Sequence, residues 1–237
     1  MYATRPYAHT IKPSHTIRSL LLPVTLATLL LLSSSLLSSP LELSVYATDG
    51  SKHRLRFSSD TIPWGGIISV SKGSNDSTSP SMLVGNDGTV YMVWQEYRAR
   101  NDTEILLSMS TDGGLTFMEP LNVSNSTHMD ENPRIALADD GTLYILWQSR
   151  VDNNYEIMLT TFKDGKATKP INLSKSSGSS INPSMVTSIG NVYIVWQDNT
   201  PGNYDIMFSM SNDYGKSFSE VMNISKDTGN SMDPSLA

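Results

Sequence analysis

The chain contains no cysteine. Disulfides, thiolate metal sites and a cysteine nucleophile are thereby excluded. It has four histidines, His9, His15, His53 and His128, the first two near the N-terminus. A metal site built on several imidazoles is not available. Charge is scarce, at 17% of residues, and its balance is acidic: 17 Lys+Arg against 23 Asp+Glu, a formal net charge of −6. That balance lacks the basic surface nucleic-acid binding requires. Ser and Thr supply 56 of the 237 residues. A chain poor in charge and rich in Ser, Thr, Asn and Gly suits turn-rich β structure better than helix.

The N-terminus is built differently. Residues 1–18 carry Arg5, Lys12 and Arg18 and no acid, and residues 19–41 carry no charge and are dominated by leucine. A Val45-Tyr46-Ala47 tripeptide follows. A positive start, an apolar middle and small residues before a cut describe a signal peptide over residues 1–47, with cleavage after Ala47. An uncharged run of about 23 residues also suffices for a membrane anchor. Either reading predicts an N-terminal hydrophobic helix and a secreted or cell-surface protein, membrane-anchored if the leader stays. Residues 48–63 read as a linker.

From residue 64 to 237 the chain repeats. Trp94-Gln95, Trp147-Gln148 and Trp196-Gln197 recur at steps of 53 and 49 residues. Pro80-Ser81-Met82, Pro133-Arg134-Ile135, Pro183-Ser184-Met185 and Pro234-Ser235-Leu236 open the repeats, and Asn122-Val123-Ser124, Asn172-Leu173-Ser174 and Asn223-Ile224-Ser225 close them. A period near 50 with strand patterns and no helix signal predicts an all-β, β-propeller-like array of four-stranded antiparallel blades. Three full repeats (about 80–124, 133–174 and 183–225) and the opening of a fourth (234–237) are present. Strand one spans residues 81–84 in repeat one and leads through an Asn/Asp-Gly turn to strand two, residues 90–94, apolar on both faces as a strand between neighbouring sheets should be. Residues 66–71 match the closing strand of an earlier repeat and are expected to pair with residues 234–237. Open blade edges invite self-association.

The turn between strands three and four is the most specific feature. Repeat one has Ser110-Thr111-Asp112-Gly113-Gly114-Leu115-Thr116-Phe117, and repeat three has Ser211-Asn212-Asp213-Tyr214-Gly215-Lys216-Ser217-Phe218. This Ser-x-Asp-x-Gly-x-Thr/Ser-aromatic pattern resembles the Asp box, or BNR repeat, of the sialidase-type β-propellers. Ser110, Asp112, Gly114, Thr116 and Phe117, with Ser211, Asp213, Gly215, Ser217 and Phe218, form a self-supporting turn on this reading. Repeat two departs, with only Lys163-Asp164-Gly165-Lys166.

The resemblance implies hydrolysis of sialosides by three arginines on a carboxylate, a Tyr nucleophile supported by a Glu, and an Asp acid/base. The family's first arginine opens an inner strand in an Arg-Ile-Pro motif, and Asn132-Pro133-Arg134-Ile135 is the nearest match, without the second Pro. Arg134 is the one candidate for an anionic ligand. No second or third inner-strand Arg is found and no Tyr/Glu pair can be assigned, so the catalytic residues are unknown. The expected role is a non-catalytic module binding glycans or cell-surface proteins; the alternative is a sialidase-like glycosidase of which this is a partial chain.

No cofactor and no metal is expected. Glu104, Glu156 and Asp205 recur before an Ile and read as acceptors of loop amides, with a cation site as the alternative. Asp130, Glu131, Asp139 and Asp140 read as a solvated acidic surface, and His128 as a solvated loop residue. Tyr91, Tyr144 and Tyr193 read as core. Candidate glycosylation sequons begin at Asn75, Asn101, Asn122, Asn125, Asn172 and Asn223.

Overall fold

A computed structural model describes residues 41–46, 52–57, 67–73, 75–99 and 102–237. The chain divides into Met1–Trp64 and Gly65–Ala237. In the first region β1 (Leu41–Tyr46) pairs antiparallel with β2 (Lys52–Phe57), Leu41 opposite Phe57 and Tyr46 opposite Lys52. Leu41-Glu42-Leu43-Ser44-Val45 alternates apolar and polar residues, the period of a strand. The expected leader helix and the cut after Ala47 lie outside the described residues, as does most of the expected linker, of which 52–57 is β2. Among the described residues no helix is long and apolar enough to cross a membrane.

The second region is all-β. Repeat one comprises β3 (Ser77–Val84), β4 (Val90–Ala99), β5 (Asp102–Ser110) and β6 (Leu121–Asn122), paired in that order. Repeat two comprises β7 (Met129–Leu137), β8 (Leu143–Val151), β9 (Asn154–Lys163), β10 (Lys166–Ala167) and β11 (Ile171–Asn172), the last two both pairing with β9. Repeat three comprises β12 (Ser180–Ser188), β13 (Asn191–Asp198), β14 (Asp205–Ser211) and β15 (Met222–Asn223). The strands run longer than the apolar cores of the sequence suggest, because polar residues such as Gln95, Glu96 and Tyr97 continue the ladder. Residues 67–71 form no strand, and residues 233–236 hydrogen-bond to repeat three, not to them. The expected pairing of those two segments is therefore absent.

The middle strand of repeat two shows what holds the array together. Leu143, Ile145 and Trp147 of β8 join Val93, Ile105, Leu107 and Val123 in a core shared with repeat one. The alternate residues Tyr144 and Leu146 join Val192, Ile194, Trp196 and Met207 in a core shared with repeat three. Successive strand side chains point to opposite faces, so a strand apolar at every position is buried on both. Neighbouring sheets thus bury each other.

A second device fixes the order. Each strand one has a bulge just before its Pro: the register shifts between Thr78 and Ser81, Glu131 and Arg134, and Ile181 and Ser184. The residue before each Pro takes a left-handed conformation, with φ of 52° at Ser79, 54° at Asn132, 53° at Asn182 and 56° at Asp233. The bulge turns that residue's amide away from the ladder. The Asn132 amide donates to Gln95 Oε1 at 3.0 Å, Asn182 to Gln148 at 3.0 Å, and Asp233 to Gln197 at 3.0 Å. The Gln of every Trp-Gln pair therefore grips the next repeat.

Candidate functional site

The turns between strands three and four are closed from within. Ser110 Oγ donates to Asp112 Oδ1 at 2.7 Å and accepts from the Gly114 amide at 2.8 Å. Asp112 accepts from the Thr116 amide at 2.9 Å and the Thr116 hydroxyl at 2.6 Å. Repeat three has the same set: Ser211 to Asp213 at 2.7 Å, Gly215 to Ser211 at 2.8 Å, and Ser217 to Asp213 at 3.0 and 2.5 Å. Donation by Thr116 and Ser217, hydroxyl and amide, holds Asp112 and Asp213 down at about 2. Each carboxylate oxygen accepts at least one hydrogen bond from its own turn. Phe218 packs into the core between repeats two and three; Phe117 is half-buried. Gly215 is there for a further reason: at φ 74° a Cβ would lie 2.7 Å from Tyr144 Cε1 of repeat two. Repeat two replaces the motif with a tight turn at Asp164-Gly165, and Lys163 pairs with Asp140 at 2.7 Å.

The recurring acids at the start of strand three are equally committed. Ser124 donates to Glu104 and Ser174 to Glu156 by short hydrogen bonds, and Ser225 to Asp205 at 3.2 Å. The same hydroxyls accept the amides of Ile105, Ile157 and Ile206. Asn122, Asn172 and Asn223 accept amides three residues on, from Asn125, Lys175 and Lys226. Of the sequon asparagines, Asn75 and Asn125 are exposed, Asn122, Asn172 and Asn223 are half-buried in this closing network, and Asn101 lies outside the described residues.

Two acids expected at a solvated surface are not there. Asp130 is buried, accepting from Trp147 Nε1 at 3.0 Å and Ser126 Oγ at 2.8 Å. Burial pushes its carboxyl above the usual carboxylate range, against the pull of hydroxyl and indole donors. The sequence hid this because an acid beside Glu131 reads as surface, whereas the pleat sends alternate residues to opposite faces. Glu131 instead accepts from Tyr155 Oη at 3.1 Å and Gln148 Nε2 at 3.4 Å. The Tyr155 phenol is raised by burial, then by the Glu131 charge and hydrogen bond, with Arg150 opposing and Tyr97 adding. Tyr155 therefore stays protonated at neutral pH and acts as a donor. Sequence reading missed this Tyr/Glu contact, since the two residues lie on strands joined only through β8. Asp139 accepts from the Gly190 amide at 3.3 Å. Tyr144 is fully buried and raised to about 12, first by burial and then by Asp140 and Asp213.

Arg134 is the exception to all this self-satisfaction. In repeat three the matching Ser184 hydroxyl accepts the Leu236 amide at 3.0 Å, tying one strand one to the next. A guanidinium has no acceptor, so Arg134 cannot make that bond. Its side chain is exposed and, among the described residues, donates to the Pro133 carbonyl alone, at 3.0 Å. Among the described residues it pairs with no carboxylate. A groove of about 420 Å³ lies at the other end of the strand ones, lined by Leu83, Val84, Leu137, Ala138 and Ile189 with Asn86 and Asp139. No Lys or Arg lines it, Arg134 included. Among the described residues no three His, Asp or Glu gather as for a metal ion.

No protein-family model and no curated protein matches the chain. Solved structures with a similar trace include a Hadza microbial sialidase (16% identity, 60% of this chain and 36% of that one, TM-score 0.49). A thermostable family-43 glycoside hydrolase (15%, 64% and 55%, TM-score 0.45) and a Penicillium chrysogenum α-L-arabinanase (15%, 62% and 49%, TM-score 0.46) are others. The chain spans between about a third and about half of their length.

Proposed function

We propose that this chain is part of an exported β-propeller of the sialidase type, carrying Asp-box turns, and that it binds acidic glycans without turning them over. The observation that carries the reading is Arg134: an exposed cation that pairs with no carboxylate among the described residues, standing on a strand one where the other repeats use serine. At the matching position of repeat three Ser184 ties its strand to the next segment; arginine gives up that bond, and what it offers instead is a planar donor fork for a carboxylate. Around it the chemistry favours binding over catalysis. One arginine cannot reproduce a three-point clamp, and a phenol raised above its ordinary value is a poor nucleophile. The leader supports delivery outside the cytoplasm, where glycans are met.

Titration calorimetry of the full chain with N-acetylneuraminic acid and with a neutral hexose tests the reading. Binding of the acidic sugar alone, lost in Arg134→Ser, is the expected result. Binding that survives Arg134→Ser, or no preference for the acidic sugar, overturns it. The Tyr155–Glu131 contact favours one other reading, a sialidase-like hydrolase in partial form. Release of a fluorogenic aglycone from a sialoside, abolished by Tyr155→Phe, would establish that reading instead; no turnover is expected.

A further inference from the structure

The chain has six Asn-x-Ser/Thr sequons, and the fold sorts them. Three are by-products of the architecture. Asn122, Asn172 and Asn223 lie in the closing strands, half-buried and paired opposite Leu106, Met158 and Met207. Their side-chain carbonyls accept the amides of Asn125, Lys175 and Lys226 at 2.8, 3.0 and 3.0 Å. The hydroxyl two residues on is spent as well. Ser124 donates to Glu104, Ser174 to Glu156 and Ser225 to Asp205, and Ser124 and Ser174 are buried. Closing the repeat thus accounts for both the Asn and the Ser of these three sequons. Asn75 is exposed, but the hydroxyl of its sequon, Ser77, is half-buried and donates to Glu96 at 3.5 Å.

Asn125 differs. It stands just past the closing element, exposed, at φ 45°. Lys175 and Lys226 hold the same place in repeats two and three, exposed at φ 45° and 49°. What each gives the turn is its main-chain amide, so the fold leaves the side chain open. The residue two further on carries a hydroxyl in every repeat, Thr127, Ser177 and Thr228, and is exposed in each. Repeat one alone places Asn before it, and so completes a sequon on the protruding turn. Among the described residues no hydrogen bond engages the Asn125 carboxamide or the Thr127 hydroxyl. We propose that Asn125 is an N-glycosylation site of the folded chain, and that the fold withholds Asn122, Asn172 and Asn223 from the same modification. The donor is an oligosaccharide carried on a polyprenyl pyrophosphate. Asn125 Nδ2 attacks the sugar C1, the N–C1 bond forms as the C1–O bond to the pyrophosphate breaks, and the carrier leaves with the electron pair. One carboxamide proton passes to a base of the transferase. The proposal shares with the glycan-binding reading only delivery outside the cytoplasm.

Incubating the folded full chain with a single-subunit oligosaccharyltransferase and its lipid-linked donor tests this without calling on export or on Arg134. Peptides of residues 169–177 and 220–228 serve as unfolded acceptors for the same enzyme. Sites are mapped by enzymatic deglycosylation, which converts a glycosylated Asn to Asp. The expected result is a glycan at Asn125 and none at Asn122, Asn172 or Asn223, while both peptides are modified. Asn125→Gln and Thr127→Ala lose the glycan. Lys175→Asn copies the turn of repeat one into repeat two and gains a glycan at that position. All three replace exposed side chains, and melting curves matching wild type establish that the variants fold. A folded chain bare at Asn125, one occupied at Asn122, Asn172 or Asn223, or a Lys175→Asn chain without the added glycan overturns the proposal. Peptides that stay bare remove the fold as the reason for selectivity and overturn it too.

Discussion

Asp112 and Asp213 on one side and Asp130 on the other show how the same residue type is put to opposite electrostatic use. Asp112 and Asp213 accept turn donors in the open, and hydrogen bonding to the ionised form lowers them to about 2. A lowered group stabilises the fold above the unfolded-state value near 4 and loses that contribution as pH falls towards 2. The Asp112→Asn, Asp213→Asn pair should therefore flatten the acid limb of the melting temperature below about pH 4, checked by circular dichroism. Asp130 has the reverse sign. Its pKa is raised by burial, so its contribution is greatest at low pH and declines as pH climbs past the unfolded value. Asp130→Asn should narrow the gap in stability between pH 4 and pH 7. Asp130→Ala leaves the Trp147 indole and the Ser126 hydroxyl without acceptors and should cost about 1–3 kcal/mol. Equal melting curves for wild type and Asp130→Ala would argue against the buried role.

At the scale of elements, the array is held by face-to-face burial and, at each junction, by a hydrogen bond to the Gln of the Trp-Gln pair. The Gln side chains of β4, β8 and β13 are buried; those of β4 and β8 accept an amide displaced by a bulge, and that of β13 accepts the Asp233 amide. The bulge and the Gln make sense only together: without the Gln a buried amide is orphaned, and without the bulge the Gln finds no donor. Gln148→Leu keeps the volume and removes the acceptor. It should destabilise the array by about 1–3 kcal/mol and speed hydrogen exchange at the Asn182 amide. Exchange at that amide unchanged from wild type would refute the staple. The Trp neighbours are less uniform. Trp147 donates to Asp130, while Trp196 Nε1 is buried without a partner.

For the whole molecule, repetition sets the architecture. Each repeat is apolar on two faces, and a sheet with two apolar faces needs two neighbours. Among the described residues repeat two has both, and Met82 and Val84 of repeat one and Ile224 of repeat three are exposed. The leader adds a prediction at this scale. If the protein is exported and cut, its mature N-terminus should be Thr48, read by intact mass of secreted material. A Met1 terminus on cytosolic protein would refute both export and anchoring.

The sequence alone determined the all-β class and the local chemistry of the turns. Trp-Gln, the opening Pro and the closing Asn-x-Ser recur in register, and local residue chemistry sets turns whatever lies around them. Period-two patterning apolar on both faces likewise implied neighbours on both sides. Tertiary structure alone decided which polar residues meet. The pleat buried Asp130 and turned Glu131 to Tyr155, a contact between strands separated by β8. It gave Gln148 to the amide of Asn182, thirty-four residues away. It also separated Arg134 from Ser184 at the same repeat position, because only the packed array shows that Ser184 ties its strand to the next segment while Arg134, exposed, donates to its neighbouring carbonyl.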